Sequence, residues 1–406
     1  MSDFGGARGR AVMGLLVLAA VACFRTGRAT PAPPRWSADL AAPRIAGDTG
    51  TTDTIAKGAL HRSFLVRQEP WAIHVLDVDL AACWKAVAVK GHPGAAGRTK
   101  TSALAASVVE TNSAVAGGVN ADFFLFDPPG VPTGAHVSNG AVVTGPGARP
   151  VFAIDSAGRP WIGVLNASGA AISGVDSLPI VAWNRLSPDG LAWIDRRYGQ
   201  AVDTSSGSVR VVLADMKGLV QSIDTTGAAA VIPSSGGVLA LGPRAPASLR
   251  QRLLLASRSR GQFAVSTRLQ PIHPLEAVGG FPVLVRDSLE VPGLDSAGAA
   301  TFAPVRHPRT IVGVASRGRR LLLITVDGRQ AGYSVGTTHR ESARIALELG
   351  ATEAINLDGG GSTAMAIARF RGDSTTFEVV NRPSDAQGER AVGNALVVKK
   401  ERAGRC

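Results

Sequence analysis

The run Asn356-Leu357-Asp358-Gly359-Gly360-Gly361-Ser362-Thr363 follows the apolar stretch Ala354-Ile355 and places a carboxylate, three glycines and two hydroxyls on adjacent positions. Consecutive glycines lose conformational entropy on folding and bury no side chain, so they are favoured where the backbone turns sharply or approaches another group closely. Backbone N–H groups in such a turn can form a nest for an anion, with the two hydroxyls as further donors. Asp358 would then act as a general base or a metal ligand, and a tight turn with a solvated Asp358 is the alternative interpretation.

The residues before this run predict a strand, a helix and a second strand. Leu321–Val326 is an apolar strand, and a helix follows over residues 338–349. Thr338 and Glu341 form a capping box at the start of this helix, and Gly350 ends it. A crossover of this kind makes the two strands parallel and places the glycine run at the carboxyl end of a strand, where α/β proteins usually bind ligands.

The rest of the chain is richer in predicted strands. Val75–Leu80 alternates in a way that indicates a strand with one buried face. Thr101–Glu110 carries a helical apolar stripe, and Ala114–Val119 reads as a strand of small residues. From residue 142 to about residue 298, short strands and turns alternate without a predicted helix. The expected fold class is α+β: a mixed β-sheet core with a few packed helices, a β-rich middle region and a strand-helix-strand unit in the C-terminal third.

The composition indicates a globular protein. The 406 residues include 48 glycines, 5% aromatic residues and 18% charged residues, which excludes a disordered or fibrous chain. The formal net charge is +12, but the basic residues are spread along the chain and form no block of the kind that binds nucleic acid. A diffuse positive charge fits a protein that meets anionic small molecules or envelope polymers.

The N-terminus has the pattern of an export signal. Arg8 and Arg10 precede the apolar run Ala11–Phe24, which is too short to span a bilayer comfortably. We therefore expect residues 1–29 to be a signal peptide and the protein to be periplasmic, in the cell envelope or secreted. The sequence around Cys23 loosely matches a lipoprotein cleavage site, so lipid anchoring at Cys23 is the alternative.

The remainder predicts a short tether and one domain. Residues 30–55 are rich in proline and predict a flexible tether, which leaves residues 56–400 as a single domain. Besides Cys23, the chain contains Cys83 and the terminal Cys406. We expect no structural disulfide, because a large core can stabilise an exported protein without one.

Several polar clusters lie in turns or at strand ends, the usual position of working residues on a rigid scaffold. Each cluster by itself is explained equally well by an ordinary turn or by solvated surface charge. Their combination of carboxylates, arginines and a glycine loop at strand ends predicts one site. The clusters are Asn120 and Asp122; His307-Pro308-Arg309-Thr310; Asp327-Gly328-Arg329-Gln330; the run from Asn356 to Thr363; and, more weakly, Asn381-Arg382-Pro383-Ser384-Asp385 with Arg390.

Taken together, these motifs resemble the phosphodiester glycosidase family. The order and spacing match from about residue 115 to residue 398, and the set in order is more specific than any single motif. One departure is Phe281, which stands where the family tends to run from glycine directly into proline. The matching segments are Gly118-Val119-Asn120-Ala121-Asp122-Phe123-Phe124, Gly279-Gly280-Phe281-Pro282-Val283-Leu284, His307-Pro308-Arg309-Thr310-Ile311-Val312-Gly313, Val326-Asp327-Gly328-Arg329-Gln330, Asn356 to Thr363, and Asn381-Arg382-Pro383-Ser384.

The resemblance implies hydrolysis of a sugar-1-phosphodiester at the glycosidic bond, which releases a free sugar and a phosphomonoester. A carboxylate would stabilise the positive charge that grows on the sugar, and bidentate arginines with backbone N–H groups would hold the departing phosphate. We expect Asp358, with Asp122 or Asp327, to serve the sugar. The expected substrate-binding residues are Asn120, His307, Arg309, Arg329, Asn356, Gly359, Gly360, Gly361, Ser362, Thr363 and Arg382.

Two other functions remain open on the sequence. A non-catalytic binder of anionic envelope glycans would use the same arginines without needing Asp358. A metal-dependent phosphodiesterase would hold a divalent cation with Asp122, Asp327 and Asp358 and would cleave the P–O bond. The expected partner is a sugar phosphodiester or a phosphorylated glycan, with no nucleic acid, no required cofactor and no membrane contact other than the alternative anchor at Cys23.

Overall fold

The computed structural model describes residues 50–67, 69–110, 113–259, 261–298, 304–372 and 374–400, so the predicted signal peptide, most of the tether and Cys23 lie outside the described residues. The described helices are α1 Thr101–Ser107, α2 Ala247–Ser259 and α3 His339–Glu348. The strands are β1 Gly50–Ala56, β2 Ala59–Val66, β3 Trp71–Asp79, β4 Trp84–Val89, β5 Thr99–Lys100, β6 Ala114–Asn120, β7 His136–Ser138, β8 Ala141–Thr144, β9 Pro150–Asp155, β10 Pro160–Val164, β11 Asn166–Ser173, β12 Asp176–Trp183, β13 Leu191–Asp195, β14 Ala201–Val202, β15 Val209–Leu213, β16 Val220–Asp224, β17 Ala230–Val231, β18 Gly237–Leu241, β19 Ala264–Gln270, β20 Pro274–Gly279, β21 Val283–Arg286, β22 Leu289–Glu290, β23 Arg309–Ala315, β24 Arg320–Val326, β25 Ala351–Asn356, β26 Met365–Arg371, β27 Ser374–Val379, β28 Ala391–Val392 and β29 Ala395–Lys400.

These strands form four larger sheets. The eight-stranded sheet has the order β1-β2-β3-β24-β23-β25-β21-β22, and a five-stranded sheet has the order β27-β26-β6-β29-β4. The middle region forms a second five-stranded sheet, β10-β9-β20-β7-β8, and a seven-stranded sheet, β16-β15-β18-β13-β12-β11-β19. Within the seven-stranded sheet, β12 and β13 are parallel, whereas neighbours in the other three larger sheets are antiparallel. Two-stranded pairs, β14 with β17 and β28 with β5, complete the strands.

The main core lies between the eight-stranded sheet and the sheet that contains β6. Apolar side chains of β3, β23 and β24 pack there against those of β4, β26 and β29 in one buried cluster. Helix α3 covers the other face of the eight-stranded sheet, and α1 covers the other face of the sheet around β6. The two helices therefore cover the outer faces of a β-sandwich. Each sheet has an apolar inner face against the other sheet and an apolar outer face against its helix.

The strand-helix-strand unit is present, with one strand inserted. Strands β24 and β25 are each antiparallel to β23, so they run in the same direction with β23 between them. Helix α3 starts as expected, because Thr338 accepts from the Glu341 N–H at 3.2 Å and the Glu341 carboxylate accepts from the Thr338 N–H at 2.9 Å. Gly350 follows the helix with φ +88°. The glycine run therefore leaves the end of β25.

Other expectations need correction. The molecule is more β-rich than the expected α+β class. Helix α2 lies in the middle region, where no helix was predicted, because the consecutive leucines 253–255 show no helical period and Leu255 is 68% exposed. Strand β3 is buried on both faces, not one, because its second face belongs to the buried cluster between the eight-stranded sheet and α3. Residues 50–55, assigned to the tether from the sequence, lie in β1, and α1 ends at Ser107, before the predicted Glu110.

Cys83 also differs from expectation. It is disulfide-bonded, and its partner lies outside the described residues. No helix in the described part of the chain has the length and apolar character that a bilayer span requires.

Candidate active site

A cavity of about 450 Å³ lies at the end of β25. The glycine run forms one wall, the loop after β6 forms another, and the first residue of α3 reaches it from a third side. Its lining residues are Phe123, Phe124, Phe126, Arg149, Phe281, Ala297, Gly298, Arg329, His339, Asp358, Gly359, Gly360, Gly361 and Arg390. Segments that are distant in the sequence thus converge on one pocket, as expected for the glycine run and for Arg329.

The backbone of Asp358 is held between the two sheets of the sandwich. Its N–H donates to the carbonyl oxygen of Ala121 at 2.8 Å, directly after β6. Its carbonyl oxygen accepts from Nδ2 of Asn120 at 2.7 Å. The Oδ1 atom of Asn120 accepts from the Thr310 hydroxyl at 2.7 Å, so β6, β23 and the end of β25 are tied together. Asn120 is fully buried and does not line the cavity.

The three glycines are explained by close approach. A Cβ on Gly359 would lie 2.6 Å from the Pro308 carbonyl oxygen, and one on Gly361 would lie 2.0 Å from an Asp385 carboxylate oxygen. Gly360 has φ +60°, and its Cβ would lie 3.1 Å from the Arg329 guanidinium. Any side chain would therefore push the loop away from the groups that surround it.

The expected anion nest is largely absent. The Gly360 N–H donates to the Pro308 carbonyl oxygen at 2.9 Å, and the N–H groups of Ser362 and Thr363 donate to carbonyl oxygens within the loop at 3.2 Å. Ser362 and Thr363 are both buried and do not line the cavity. Backbone that is already bonded cannot also bind phosphate. These three N–H groups are therefore not available to an anion, whereas the arginine side chains that line the cavity are.

Asp358 faces this cavity with a perturbed carboxyl group. Burial raises the pKa of Asp358 to about 6, opposed by the Ser362 hydroxyl, the Gly359 N–H and the positive charges of Arg390 and Arg149. A carboxyl group that titrates in this range can be present in either protonation state near neutral pH. This property is common among groups that transfer protons in active sites.

Asp122 lies behind Asp358 and is almost completely buried. Its Oδ2 atom accepts from the Gly134 N–H at 2.7 Å, and its own N–H donates to the Asn394 side chain at 2.8 Å. Burial raises the pKa of Asp122 to about 7, with a further contribution from the negative charge of Asp358. The positive charges of Arg149 and Arg185 oppose this rise. The two carboxyls therefore influence each other electrostatically.

Three arginines line the cavity. Arg149 and Arg329 have no carboxylate partner among the residues that the structure describes. Arg390 pairs with Asp385, with Nε 2.7 Å from Oδ2. Arg329 lies against Gly360 and contacts Nδ1 of His307 at 3.2 Å. Two guanidinium groups without a protein anion beside a partly buried carboxyl make the cavity suitable for an anionic ligand.

Arg309 is not in the cavity. Its guanidinium is completely buried, donates to the Thr337 carbonyl oxygen at 2.9 Å and lies 3.0 Å from Nε2 of His339. Burial lowers the pKa of Arg309 to about 10, and burial with the nearby Arg309 charge lowers the pKa of His339 to about 3. His339 lines the cavity, so the Arg309 guanidinium lies behind the imidazole that forms part of the cavity wall. Burial and the charges of Arg309 and Arg329 likewise lower the pKa of His307 to about 4.

Asp327 does not reach the cavity either. Its Oδ1 atom accepts from Asn381 at 2.9 Å, and its Oδ2 atom accepts from the Arg382 N–H at 2.8 Å and from the Tyr333 hydroxyl at 3.1 Å. Burial raises the pKa of Asp327. With its oxygens engaged, Asp327 holds the loop that carries Arg329. The Arg382 side chain lies over the Tyr333 ring, 5.4 Å from the centroid, and also stays outside the cavity lining.

Asn356 supports the cavity wall from inside. Its Nδ2 atom donates to the carbonyl oxygens of Phe281 at 2.7 Å and Leu357 at 2.8 Å. The structure thus brings Asp358, Asp122, Arg329 and the glycines together, whereas Asn120, Asn356, Arg309 and Asp327 hold this arrangement from behind.

Sequence reasoning missed part of the lining. Arg149, His339 and the phenylalanines were not assigned to the site, and Arg390 appeared only in the weakest cluster. Phe123, Phe124 and Phe281 belong to the quoted motifs, so their position beside Asn120, Asp122 and Gly280 was an available signal. Arg149 lies in a Gly- and Pro-containing loop that has no distinguishing pattern.

The carboxylates needed by a metal-dependent phosphodiesterase are not gathered as a set. Asp122 and Asp358 are neighbours, but Asp327 lies outside the cavity lining. Within the described ranges, no group of three or more His, Cys, Asp or Glu side chains is arranged to hold a metal ion.

Two solved structures share the fold of this chain. A hypothetical protein from Synechocystis has a TM-score of 0.70 and 20% identity over 87% of this chain, which spans 64% of that protein. A candidate exported protein from Burkholderia pseudomallei has a TM-score of 0.61 and 28% identity, covering 81% of this chain and 74% of its own. Zebrafish N-acetylglucosamine-1-phosphodiester alpha-N-acetylglucosaminidase, as a catalytic domain auto-inhibited by its pro-peptide, covers 87% and 82% at 15% identity, and its TM-score of 0.43 is too low to carry an argument.

The family comparison concerns the C-terminal half. Residues 210–399 match the phosphodiester glycosidase family model. The resemblance to the phosphodiester glycosidase family is therefore confirmed over this segment, which contains Asp358, Arg329 and the three glycines. No curated protein gives a match.

Proposed function

We propose that the protein is an exported hydrolase that cleaves a sugar-1-phosphodiester at the glycosidic bond. The observation that carries the proposal is the cavity itself: Asp358, with a pKa raised to about 6, faces the same space as Arg149 and Arg329. The family match over residues 210–399 supports the reaction class. Export is supported by the N-terminal pattern around Arg8 and Arg10 and by the name of the Burkholderia pseudomallei relative.

The chemistry suits this division of charge. Cleavage of a glycosidic bond passes through an oxocarbenium-like transition state, and the ionised Asp358 carboxylate stabilises the positive charge on the sugar or directs water to it. The leaving phosphate is already an anion and a weak base, so it needs little protonation. Arg149 and Arg329 stabilise the negative charge that the phosphate gains as the bond breaks.

Asp122 has a positioning role in this proposal. Its side chain is buried and bonded to Gly134, so it does not contact the substrate. Burial and the negative charge of Asp358 both raise the pKa of Asp122, which favours its protonated form. When Asp122 is protonated, the pair carries one negative charge, and that charge is on Asp358 beside the sugar.

The experiment measures sugar release from a panel of sugar-1-phosphate diesters in water labelled with heavy oxygen. We expect the label on the anomeric oxygen of the sugar and an unlabelled phosphomonoester. Label in the phosphate would instead identify P–O cleavage, and binding without turnover of the panel would identify a glycan binder.

Asp358→Asn tests the carboxylate directly. We expect kcat to fall by about a thousandfold or more, because the amide carries no charge to stabilise the transition state. Asp189→Asn is the matched control, since Asp189 is exposed and pairs with Arg244 away from the cavity. Near-normal turnover by a folded Asp358→Asn protein, checked by its thermal unfolding, would refute this role.

A further inference from the structure

One side of the cavity consists of phenylalanine rings that the proposed reaction does not use. Phe123, Phe124, Phe126 and Phe281 line it, and the rings of Phe124 and Phe126 lie 5.8 Å apart at an interplanar angle of 57°. Phe126 is 76% exposed, and the adjacent Leu125 is 43% exposed. These large apolar side chains are exposed to water and grouped beside a pocket. Such a group indicates a surface that a ligand covers.

The loop that carries Phe123, Phe124 and Phe126 is held in place. The Leu125 N–H donates to the Val131 carbonyl oxygen at 2.9 Å, and the Gly130 N–H donates to the Leu125 carbonyl oxygen at 2.8 Å. Phe124 also forms an isolated β-bridge with Pro132. Phe126 is thus presented at the mouth of the cavity from a loop that closes on itself with backbone hydrogen bonds, which limits the conformational cost of binding.

The rings adjoin the cationic part of the cavity. The Arg149 guanidinium lies 5.0 Å from the Phe123 ring centroid and 5.7 Å from the Phe281 ring centroid. A phosphate bound to Arg149 therefore lies in the same part of the cavity as the Phe123 and Phe281 rings. Whatever is esterified to that phosphate extends from Arg149 towards these rings or towards solvent.

We propose that the alcohol on the far side of the substrate's phosphate is apolar. This inference rests on the proposed function, in which the sugar lies beside the partly buried Asp358 and the phosphate on Arg149. The alcohol then occupies the outer part of the cavity, where Phe126 is exposed. Burial of an aryl or alkyl group against these rings removes apolar surface of both partners from water, whereas a sugar or another polar alcohol would have to be desolvated there.

Binding of simple phosphomonoesters tests this inference without any need for turnover. We expect calorimetry on the full chain to show that phenyl phosphate and butyl phosphate bind about tenfold or more tightly than methyl phosphate. A larger gain for phenyl than for butyl phosphate would identify an aromatic alcohol, and the reverse an aliphatic one. Equal dissociation constants for all three esters would overturn the inference.

Two variants assign the effect to the rings. Phe126→Ala should reduce the advantage of phenyl and butyl phosphate to about threefold or less and leave the methyl phosphate affinity unchanged. Phe370→Ala is the matched control, because Phe370 is 45% exposed on β26 and does not line the cavity. Equal weakening of all three esters by Phe126→Ala would show that the ring serves another part of the ligand and would overturn the inference. Failure of the proposed reaction alone would leave these affinities intact, so the two failures are distinguishable.

Discussion

Burial raises the pKa values of both Asp122 and Asp358, but the surroundings of the two carboxyls differ. Asp358 faces the cavity, and the positive charges of Arg390 and Arg149 oppose the rise of its pKa. Asp122 is almost completely buried and also experiences the charge of Asp358. Two aspartates that look alike in the sequence thus occupy different environments, one facing the cavity and one buried beside it.

The raised pKa of Asp122 predicts a dependence of stability on pH. Burial raises the pKa of Asp122 from the ordinary 3.8 to about 7, so the native state binds more protons than the unfolded state between these values. The free energy of unfolding therefore falls as the pH rises from about 4 to about 7. Asp122→Asn should remove about 2 to 4 kcal/mol of this fall, measured by urea unfolding at pH 5 and pH 8.

Asp189→Asn is the control for that measurement. A hydrogen bond from Arg244 lowers the pKa of Asp189, so this group titrates below the range that is compared. Burial still raises the pKa values of Asp358, Glu276 and Asp327 in the variant, so the slope decreases without disappearing. Identical slopes for wild type and Asp122→Asn would contradict the prediction.

At the scale of elements, β25 ends directly before the glycine turn, so the position of the strand fixes the position of the turn in the cavity wall. Positions 359–361 are glycines because Pro308, Arg329 and the Asp385–Arg390 pair occupy the space that side chains there would need. Helix α3 begins on the other side of the cavity with Thr338 and His339. Both walls are therefore fixed by the ends of regular elements, which limits their movement.

Gly360→Ala tests the link between this turn and the anion site. Alanine at φ +60° costs about 1 to 2 kcal/mol, and its Cβ also displaces the Arg329 guanidinium. We expect the affinity for methyl phosphate to fall about tenfold, since one charge-assisted contact is misplaced. Gly158→Ala is the control, because Gly158 has φ +77° but nothing within 4 Å of its added Cβ. Comparable loss of binding in both variants would show that strain alone is responsible.

At the scale of the whole molecule, the site depends on strands from both ends of the chain. The family match begins at residue 210, but β6 lies between β26 and β29 in its sheet. Strand β3 likewise flanks β24 in the eight-stranded sheet. The N-terminal strands are thus part of the sandwich core and not a separate layer.

A fragment of residues 210–399 should therefore fail to fold as a unit. Without β6, strands β26 and β29 lose the neighbour that joins them, and removal of β3 exposes the edge of β24. We expect the fragment to show no cooperative transition in urea by far-UV circular dichroism, whereas residues 50–400 unfold cooperatively. A cooperative transition of the fragment at the same midpoint would contradict this view of the core.

The sequence by itself determined the features that depend on neighbouring residues. The capping box of Thr338 and Glu341, the stop at Gly350 and the turn at Gly359–Gly361 are set by interactions within a few positions, so their patterns can be read directly. The polar clusters at strand ends located much of the site, although they did not separate lining residues from supporting ones.

Only the tertiary structure decided which of those residues face the cavity. The Asn120 side chain donates to the carbonyl oxygen of Asp358, which is 238 positions away in the sequence. Arg309 and Asp327 are buried and lie behind the cavity wall. The second buried face of β3 and the arrival of Arg149 and Phe126 at the pocket likewise depend on packing between distant elements. Local patterns encode conformation through short-range hydrogen bonds and dihedral preferences, whereas side-chain environment arises from burial that the whole fold creates.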